Sequence, residues 1–329
     1  MQPLEPEPGG EVEPEPEPEP AAPFALDSEE LPPGLRHALR TQRCVLYTGS
    51  GFSVPAGLPS FGELLVSVAR DGGVAHLLGC AASANDAAAA ASVVQGLGKD
   101  AMFALQGRIV STLGKQKAGE LFMQHLRPAS PLPAEMMARL HCIRGTQYAF
   151  VVTQNWDDLL ERAGYERCVP PSLNDYGVPL VVMAGAGAGQ QRCDTVVKFE
   201  SDGGTAESWL LSSSEIAAVS DEFATPTENG YAFWTALLTN WTVVFAGCSI
   251  EGGYIGKMLR ATFSESRPQH FAIMGNVAPQ ARRCCKDELG VAVFDYSFDE
   301  HEGHPAGGLL AYLEYMRDAS VQRNEKNAI

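Results

Sequence analysis

The stretch CVLYTGSGFSVPAGLPSF, residues 44–61, decides the fold of this 329-residue chain. Its first five residues form an apolar run typical of a buried parallel strand, and they lead directly into GSG at 49–51. Small residues between a strand and a helix suit a phosphate cradle, because backbone N–H groups can approach an anion without a Cβ in the way. The G-x-G-x-x-G dinucleotide pattern fails at Val54, however. Spacing alone therefore leaves phosphate binding and a tight structural turn both open.

Further apolar runs along the chain predict five more strands, with helical segments between them. These runs cover residues 148–153, 195–199, 242–246, 270–274 and 291–296. Because strands alternate with helices, we predict an α/β fold, with a Rossmann-like doubly wound parallel sheet. The chain from Phe61 to about Leu126 has helical spacing and is too long for one crossover. It predicts an inserted helical subdomain at about 63–130.

The acidic charge of the chain is concentrated at its start. The formal net charge is −16, but residues 1–30 hold ten acids and no Lys or Arg, so the rest has 30 acids against 24 bases, a net charge of −6. Residues 5–20 are close to an alternation of Glu and Pro, which cannot bury enough surface to offset the entropy of ordering. We therefore predict a disordered acidic arm at 1–30, a folded domain at 31–318 and a polar tail at 319–329.

Several classes of function are disfavoured by composition. No basic patch is visible, which argues against nucleic-acid binding, and no apolar run approaches 18 residues, which argues against a membrane span. Signal and transit peptides find no support, so we expect a cytoplasmic protein, with the nucleus as the alternative. None of the eight cysteines forms a C-x-x-C pair, so we expect no zinc site and no other metal site.

Small and polar residues follow the predicted strands. Open parallel sheets bind ligands beyond the carboxyl ends of their strands, so these residues are expected to line one pocket. They are Gly49, Ser50, Gly51 and Ser53 after the first strand, Gln154, Asn155 and Asp157 after the second, Glu200 after the third, and Gly247, Ser249 and Asn276 after later strands.

Three motifs, in this order, resemble those of the sirtuin superfamily. Residues 49–61, GSGFSVPAGLPSF, resemble the sirtuin signature G-A-G-x-S-x-x-A-G-[IL]-P-x-F, with Ser50 in place of Ala. Residues 153–157, TQNWD, are close to T-Q-N-I-D, and residues 247–249, GCS, are similar to G-T-S. The resemblance spans roughly residues 34–316 and implies an NAD-binding fold.

The resemblance also implies a role for each matched residue. Asn155 and Gln154 would face the nicotinamide ribose, and Asp157 would hold the nicotinamide carboxamide. Gly247 and Ser249 would contact the adenosine side, with Asn276 at the adenine ribose. The pyrophosphate would be cradled by Gly49, Ser50, Gly51 and Ser53. The loop closing over the ribose would include Ala56, Gly57, Pro59 and Phe61.

Two departures from the sirtuin pattern bear on activity. The absent C-x-x-C pairs place the chain nearer the zinc-less SIR2-like branch, whose members include NAD-hydrolysing enzymes of immunity and stress signalling. The family strand K-[LI]-H-G, which supplies a catalytic His, is best matched by Lys198, Phe199, Glu200 and Ser201, so Glu200 stands where His belongs. A carboxylate can stabilise a sugar cation or activate a water, so Glu200 could serve in its place.

Three functions follow from these observations. The first is NAD+ hydrolysis to nicotinamide and ADP-ribose, with Asn155 and Glu200 as the catalytic residues. The second is an NAD-binding pseudoenzyme or regulatory scaffold, since the family base is missing. The third is NAD-dependent protein deacylation. Besides NAD+, the resemblance implies a homo-oligomer or a separate sensor chain as partner.

Overall fold

A computed structural model describes residues 31–83, 87–168, 195–198, 229–251, 253–263, 268–296 and 307–321. The predicted acidic arm at 1–30 and the predicted catalytic residue Glu200 lie outside these ranges.

Within the described ranges, the core of the fold is a seven-stranded sheet in the order β3-β4-β2-β1-β5-β6-β7, and every pair of neighbours is parallel. This arrangement confirms the predicted doubly wound α/β fold. Strands β1 to β4 form one half of the sheet, and the chain then crosses to β5 on the other side of β1, which makes the β1/β5 boundary the switch point. The strands are β1 (Cys44–Thr48), β2 (Val151–Thr153), β3 (Glu166–Cys168), β4 (Thr195–Lys198), β5 (Thr242–Ala246), β6 (His270–Gly275) and β7 (Val291–Tyr296).

Helices flank the sheet and follow or precede its strands. They are α1 (Pro33–Arg40), α2 (Ser50–Ser53), α3 (Phe61–Asp71), α4 (Ala87–Gln95), α5 (Lys99–Leu113), α6 (Lys115–His125), α7 (Ala134–Gly145), α8 (Leu159–Arg162), α9 (Asn229–Asn240), α10 (Gly253–Ala261), α11 (Pro279–Asp287) and α12 (Gly307–Val321). The 3₁₀ segments Val54–Ala56 and Ala75–Ser83 lie among them.

Both faces of the sheet are covered, as a parallel sheet requires. Along β1, Val45 and Tyr47 belong to the apolar cluster shared with α9, α10 and α11, whereas Leu46 belongs to the cluster shared with α1, α7 and α12. This alternation follows from the two-residue period of a strand. All five residues of β1 are buried, which explains why its sequence is a continuous apolar run.

The long connection between β1 and β2 is helical and has its own core. Helices α3 to α6 bury a separate apolar cluster that includes Leu65, Val94, Ile109 and Phe122. Helix α3 begins with a capping box, in which the Ser60 hydroxyl accepts from Glu63 N and the Glu63 carboxylate accepts from Ser60 N. The inserted helices therefore form a second layer beside the carboxyl ends of the strands.

Some element boundaries differ from the predicted ones. The second strand begins at Val151 rather than residue 148, and α12 continues to Val321, three residues into the segment predicted as a tail. Residues 322–329 lie outside the described ranges. Helix α12 extends because Ser320 remains fully buried, with its hydroxyl donating to Arg317 O at 2.6 Å.

No single helix in the described ranges has the length and apolar character needed to cross a bilayer. The bent pair Ser50–Ala56 and Phe61–Asp71 reaches that length and composition only when its two members are taken together.

Candidate functional site

A cavity of about 280 Å³ opens where β1, β2 and β5 end, between the sheet and the inserted helices. The polar lining comes mainly from the strand ends, and the apolar lining comes mainly from the inserted helices and the loop before α3. The polar side includes Ser50, Ser53, Gln154, Asn155, Asp157 and Ser249. The opposite side includes Leu58, Phe61, Leu64, Met102, Phe103 and Leu126. A mostly apolar pocket with a few convergent polar groups is typical of a small-molecule site.

The loops after β1 and β5 touch each other at the switch point. Gly51 N donates to Gly247 O at 2.9 Å, and Gly49 N donates to Ala246 O at 3.0 Å. A Cβ on Gly49 would lie 2.4 Å from Cys248 Cβ, and one on Gly247 would lie 2.2 Å from Phe52 N. Close packing of the two loops therefore requires glycine at positions 49 and 247. The cavity surface of the first loop is formed by its serines, Ser50 and Ser53.

Asn155 is the most constrained polar side chain of the cavity. It is 8% exposed, and its Nδ2 donates to Gly49 O and to Ser53 Oγ, each at 3.0 Å. Its backbone N donates to Thr153 Oγ1 at 3.0 Å. Its Oδ1 accepts no hydrogen bond from any described residue. A buried acceptor without a donor is costly, so this oxygen is available to a hydroxyl or a water brought by a ligand.

Asp157 lies on the same side of the cavity and is also 8% exposed. Its Oδ2 accepts from Ser53 Oγ at 2.7 Å, and its Oδ1 accepts from Leu159 N at 3.1 Å. Burial raises the pKa of this carboxyl, although both hydrogen bonds and the charge of Lys198 oppose the rise. Each carboxylate oxygen keeps a further lone pair, so Asp157 can still accept from a ligand amide.

A buried lysine supports the turn that carries Asp157. Lys198, at the end of β4, is 1% exposed, and its Nζ donates to Asp157 O and, at 3.0 Å, to Glu161 Oε1. In the sheet, Lys198 pairs with Thr153. Strands β2 and β4 therefore end side by side at the edge of the cavity.

One aromatic contact joins a strand-end loop to the helical layer, and two further contacts tie the layer together. Trp156, between Asn155 and Asp157, packs edge to face on Phe122 of α6, with the ring centroids 5.3 Å apart. Phe61 packs on Phe103 with centroids 5.6 Å apart. Gln95 Nε2 donates to Ser60 Oγ at 2.7 Å and so connects α4 to the loop before α3. These contacts fix the helical layer over the strand ends.

Comparison with known families identifies the domain. A family model described as the SIR2-like domain matches residues 149–294, from just before β2 into β7. The match supports membership of the SIR2-like superfamily. A search with the sequence finds no significant match among curated proteins. The matched range carries Asn155, Asp157 and Gly247, and the glycine-rich loop of residues 49–53 packs directly against its Gly247.

SIR2-like domains bind NAD, and the cavity has features that fit such a ligand. The unpartnered Oδ1 of Asn155 offers an acceptor to a ribose hydroxyl or a water, and the apolar side offers a surface to a flat ring. Among the described residues, no group of three or more His, Cys, Asp or Glu side chains is arranged to hold a metal ion.

The predicted site residues divide into those that line the cavity and those that support it. Nine line it: Ser50, Ser53, Pro59, Phe61, Gln154, Asn155, Asp157, Gly247 and Ser249. Gly49, Gly51, Ala56 and Gly57 belong to the loop behind this surface. Asn276 follows β6 with φ of 48°, is exposed, and is not part of the lining. Glu200 lies outside the described residues.

Sequence reasoning missed the contribution of the helical layer and one buried cation. Four residues of this region line the cavity, namely Met102, Phe103, Gln106 and Leu126. The sequence marks them only by the helical spacing that any packed helix shows. Arg139 of α7, buried beneath the glycine-rich loop, had a clearer signal. It is a charged residue on the face of α7 that also holds buried Met136, Leu140 and Ile143.

Proposed function

We propose that the protein is an NAD+ hydrolase that releases nicotinamide and leaves ADP-ribose. In this reaction water adds to the anomeric carbon of the nicotinamide ribose, and the bond to the pyridine nitrogen breaks. The bonding electrons leave with nicotinamide, and one proton is released to solvent. Positive charge develops on the ribose in the transition state, so nearby oxygen acceptors accelerate the step.

The observation that carries the proposal is the state of Asn155. Its Nδ2 is held by Gly49 O and Ser53 Oγ, which fixes the amide plane, while its Oδ1 has no hydrogen-bond partner among the described residues. A rigid, buried acceptor of this kind is suited to orient a ribose hydroxyl or the attacking water. Such orientation contributes because the acceptor needs no reorganisation during the reaction.

The other cavity residues support the same assignment. Asp157 accepts from Ser53 and Leu159 and can accept from a carboxamide N–H, which would orient nicotinamide in the pocket. The apolar surface of Phe61, Phe103 and Leu126 suits the pyridine ring and excludes water around it. The adenosine half would then lie toward exposed Ser249 and Asn276.

Glu200 is proposed as the group that activates the water. Lys198 and Thr153 end neighbouring strands and are paired in the sheet. Glu200 follows Lys198 by two residues, just as Asn155 follows Thr153 by two. A carboxylate near the ribose can stabilise developing positive charge or accept the proton of water. A purified Glu200→His variant, which restores the family base, should retain or raise turnover if this alignment is correct.

The test is nicotinamide release from NAD+ by the purified full-length chain. Asn155→Ala should lower the rate by about 10²–10³-fold, the usual cost of removing one pre-organised polar group from an active site. Asn240→Ala, an exposed asparagine on α9, is the matched control and should leave the rate unchanged. A folded wild-type chain that releases no nicotinamide would count against hydrolysis.

NAD binding without turnover is the second candidate, because Glu200 replaces the histidine of the family motif. In that case NAD+ should raise the melting temperature and remain intact after long incubation. Deacylation is the third candidate function. It predicts that an acetylated peptide stimulates nicotinamide release. A hydrolase gives the same rate with and without that peptide.

A further inference from the structure

A buried guanidinium lies directly behind the glycine-rich loop. Arg139 of α7 is 2% exposed, and its Nη1 donates to Phe52 O at 3.0 Å and to Gly51 O at 3.4 Å. The loop segments 49–61, 153–157 and 247–251 contain no Lys or Arg. Arg139 therefore brings a positive charge into contact with a loop that has none of its own.

The charge of Arg139 is only partly compensated within the described part of the chain. Glu135 Oε1 accepts from its Nη2 at 2.6 Å, whereas its Nε has no hydrogen-bond partner among the described residues. Burial lowers the pKa of the guanidinium, and Glu135 opposes this shift. Because a buried charge is costly unless it is well paired, an additional anion close by would be favoured.

One of the two peptide groups connects this charge to the cavity lining, whereas the N–H of the other, Phe52 N, donates to Gly49 O at 2.9 Å. The carbonyls of Gly51 and Phe52 accept from Arg139, and in a trans peptide the N–H group points opposite to the carbonyl. The N–H of Ser53 belongs to the second of these peptides, and Ser53 lines the cavity. Contact with a cation on the carbonyl side makes the potential on the opposite side more positive.

We propose that Arg139 is a positioning residue that makes the glycine-rich loop favour a diphosphate, such as the pyrophosphate of a dinucleotide. Glu135 weakens this preference by neutralising part of the charge. The inference rests on the proposed function, since it names how the same cavity selects an anionic ligand. It also identifies a source of positive charge for a loop that contains no Lys or Arg.

The experiment measures the affinity of the full-length chain for two ligands that are not consumed, ADP-ribose and adenosine. Arg139→Met should weaken ADP-ribose binding roughly tenfold, the equivalent of one hydrogen bond to a charged group, and affect adenosine much less. Arg139→Lys should recover part of the loss. Glu135→Gln should tighten ADP-ribose binding, because it removes the opposing charge and its side chain is only partly buried.

A purely structural role for the Arg139–Glu135 pair predicts a different pattern. Both Arg139→Met and Glu135→Gln would then loosen the loop and weaken ADP-ribose binding, and Arg139→Met would weaken both ligands equally. Either result overturns the inference while leaving the proposed function intact. If Arg139→Met fails to fold or adenosine binds too weakly to measure, the sign of the Glu135→Gln effect decides. A folded wild type that binds neither ligand overturns the proposed function and this inference together.

Discussion

Gly51 N donates to Gly247 O at 2.9 Å, and this bond joins the loops after β1 and β5 at the switch point of the sheet. Gly247 has φ of +66°, and a Cβ built on it would lie 2.2 Å from Phe52 N. The contact holds Ser50 and Ser53 of one loop and Ser249 of the other on the lining of the same cavity. Loop packing therefore determines the shape of the polar side of the site.

Gly247→Ala should lower the free energy of unfolding by about 2–4 kcal/mol, because the new methyl group adds a backbone clash to an unfavourable left-handed φ. Denaturant unfolding followed by circular dichroism measures the change. Two control variants separate the causes. Gly73→Ala has φ of +73° but open space around it and should cost about 1 kcal/mol. Gly34→Ala on α1 has neither problem and should be neutral or slightly stabilising. Equal effects at Gly247 and Gly73 would show that the loop contact is not important.

Asp157 should give the protein a stability that declines as the pH rises. Burial raises the pKa of this carboxyl in the folded state, so the folded chain holds the proton more tightly than the unfolded chain. Its contribution is therefore fully present below the unfolded pKa of about 3.9 and is lost as the pH rises through the folded pKa.

Asp157→Asn should remove this decline, which urea unfolding at a series of pH values will measure. The neighbouring Asp158→Asn is the matched control, since its side chain is 46% exposed and forms a surface ion pair with Arg162. It should keep the wild-type dependence on pH. Identical profiles for wild type and Asp157→Asn would contradict the assigned pKa direction.

Lys198→Met should destabilise the fold by about 1–3 kcal/mol, because the Asp157 carbonyl and the Glu161 carboxylate both lose a buried charged donor. The lysine charge also lowers the pKa of Asp157. Its removal should therefore shift the pH-dependent loss of stability to higher pH. Lys286→Met, at an exposed position on α11, should change neither quantity. A Lys198→Met protein as stable as the wild type would show that these bonds contribute nothing.

The fold was predictable from sequence where local pattern and tertiary environment agree. Strand β1 is buried on both faces, so its run of four apolar residues, Cys44 to Tyr47, indicates its place directly. Strand β3, Glu166–Cys168, was missed because it has three residues, two of them charged, and lies at the edge of the sheet. Helix α7 was missed as well, although three of its apolar residues share one buried face.

The motifs predict which residues lie at the candidate site, but not the contacts that these residues make. The strand-end positions of Asn155 and Asp157 follow from the parallel sheet, and both are found in one cavity. The contacts that decide their states come from distant parts of the chain. Asn155 is fixed by Ser53, 102 residues away, and Arg139 contacts Phe52 from 87 residues away. These sequence separations are too long for any local pattern to reveal. The roles of the glycines and of the buried Arg139 can therefore be recognised only in the folded structure.

The most direct test of the central claim is a structure of the full-length chain with a non-hydrolysable NAD analogue. We predict density for the analogue in the cavity at the ends of β1, β2 and β5, with its nicotinamide ribose hydrogen-bonded to Asn155 Oδ1 and its pyrophosphate beside residues 49–53. We also predict that the Glu200 carboxylate faces that ribose. Density for the analogue at another surface, or a ribose that leaves Asn155 Oδ1 without a partner, would contradict the account.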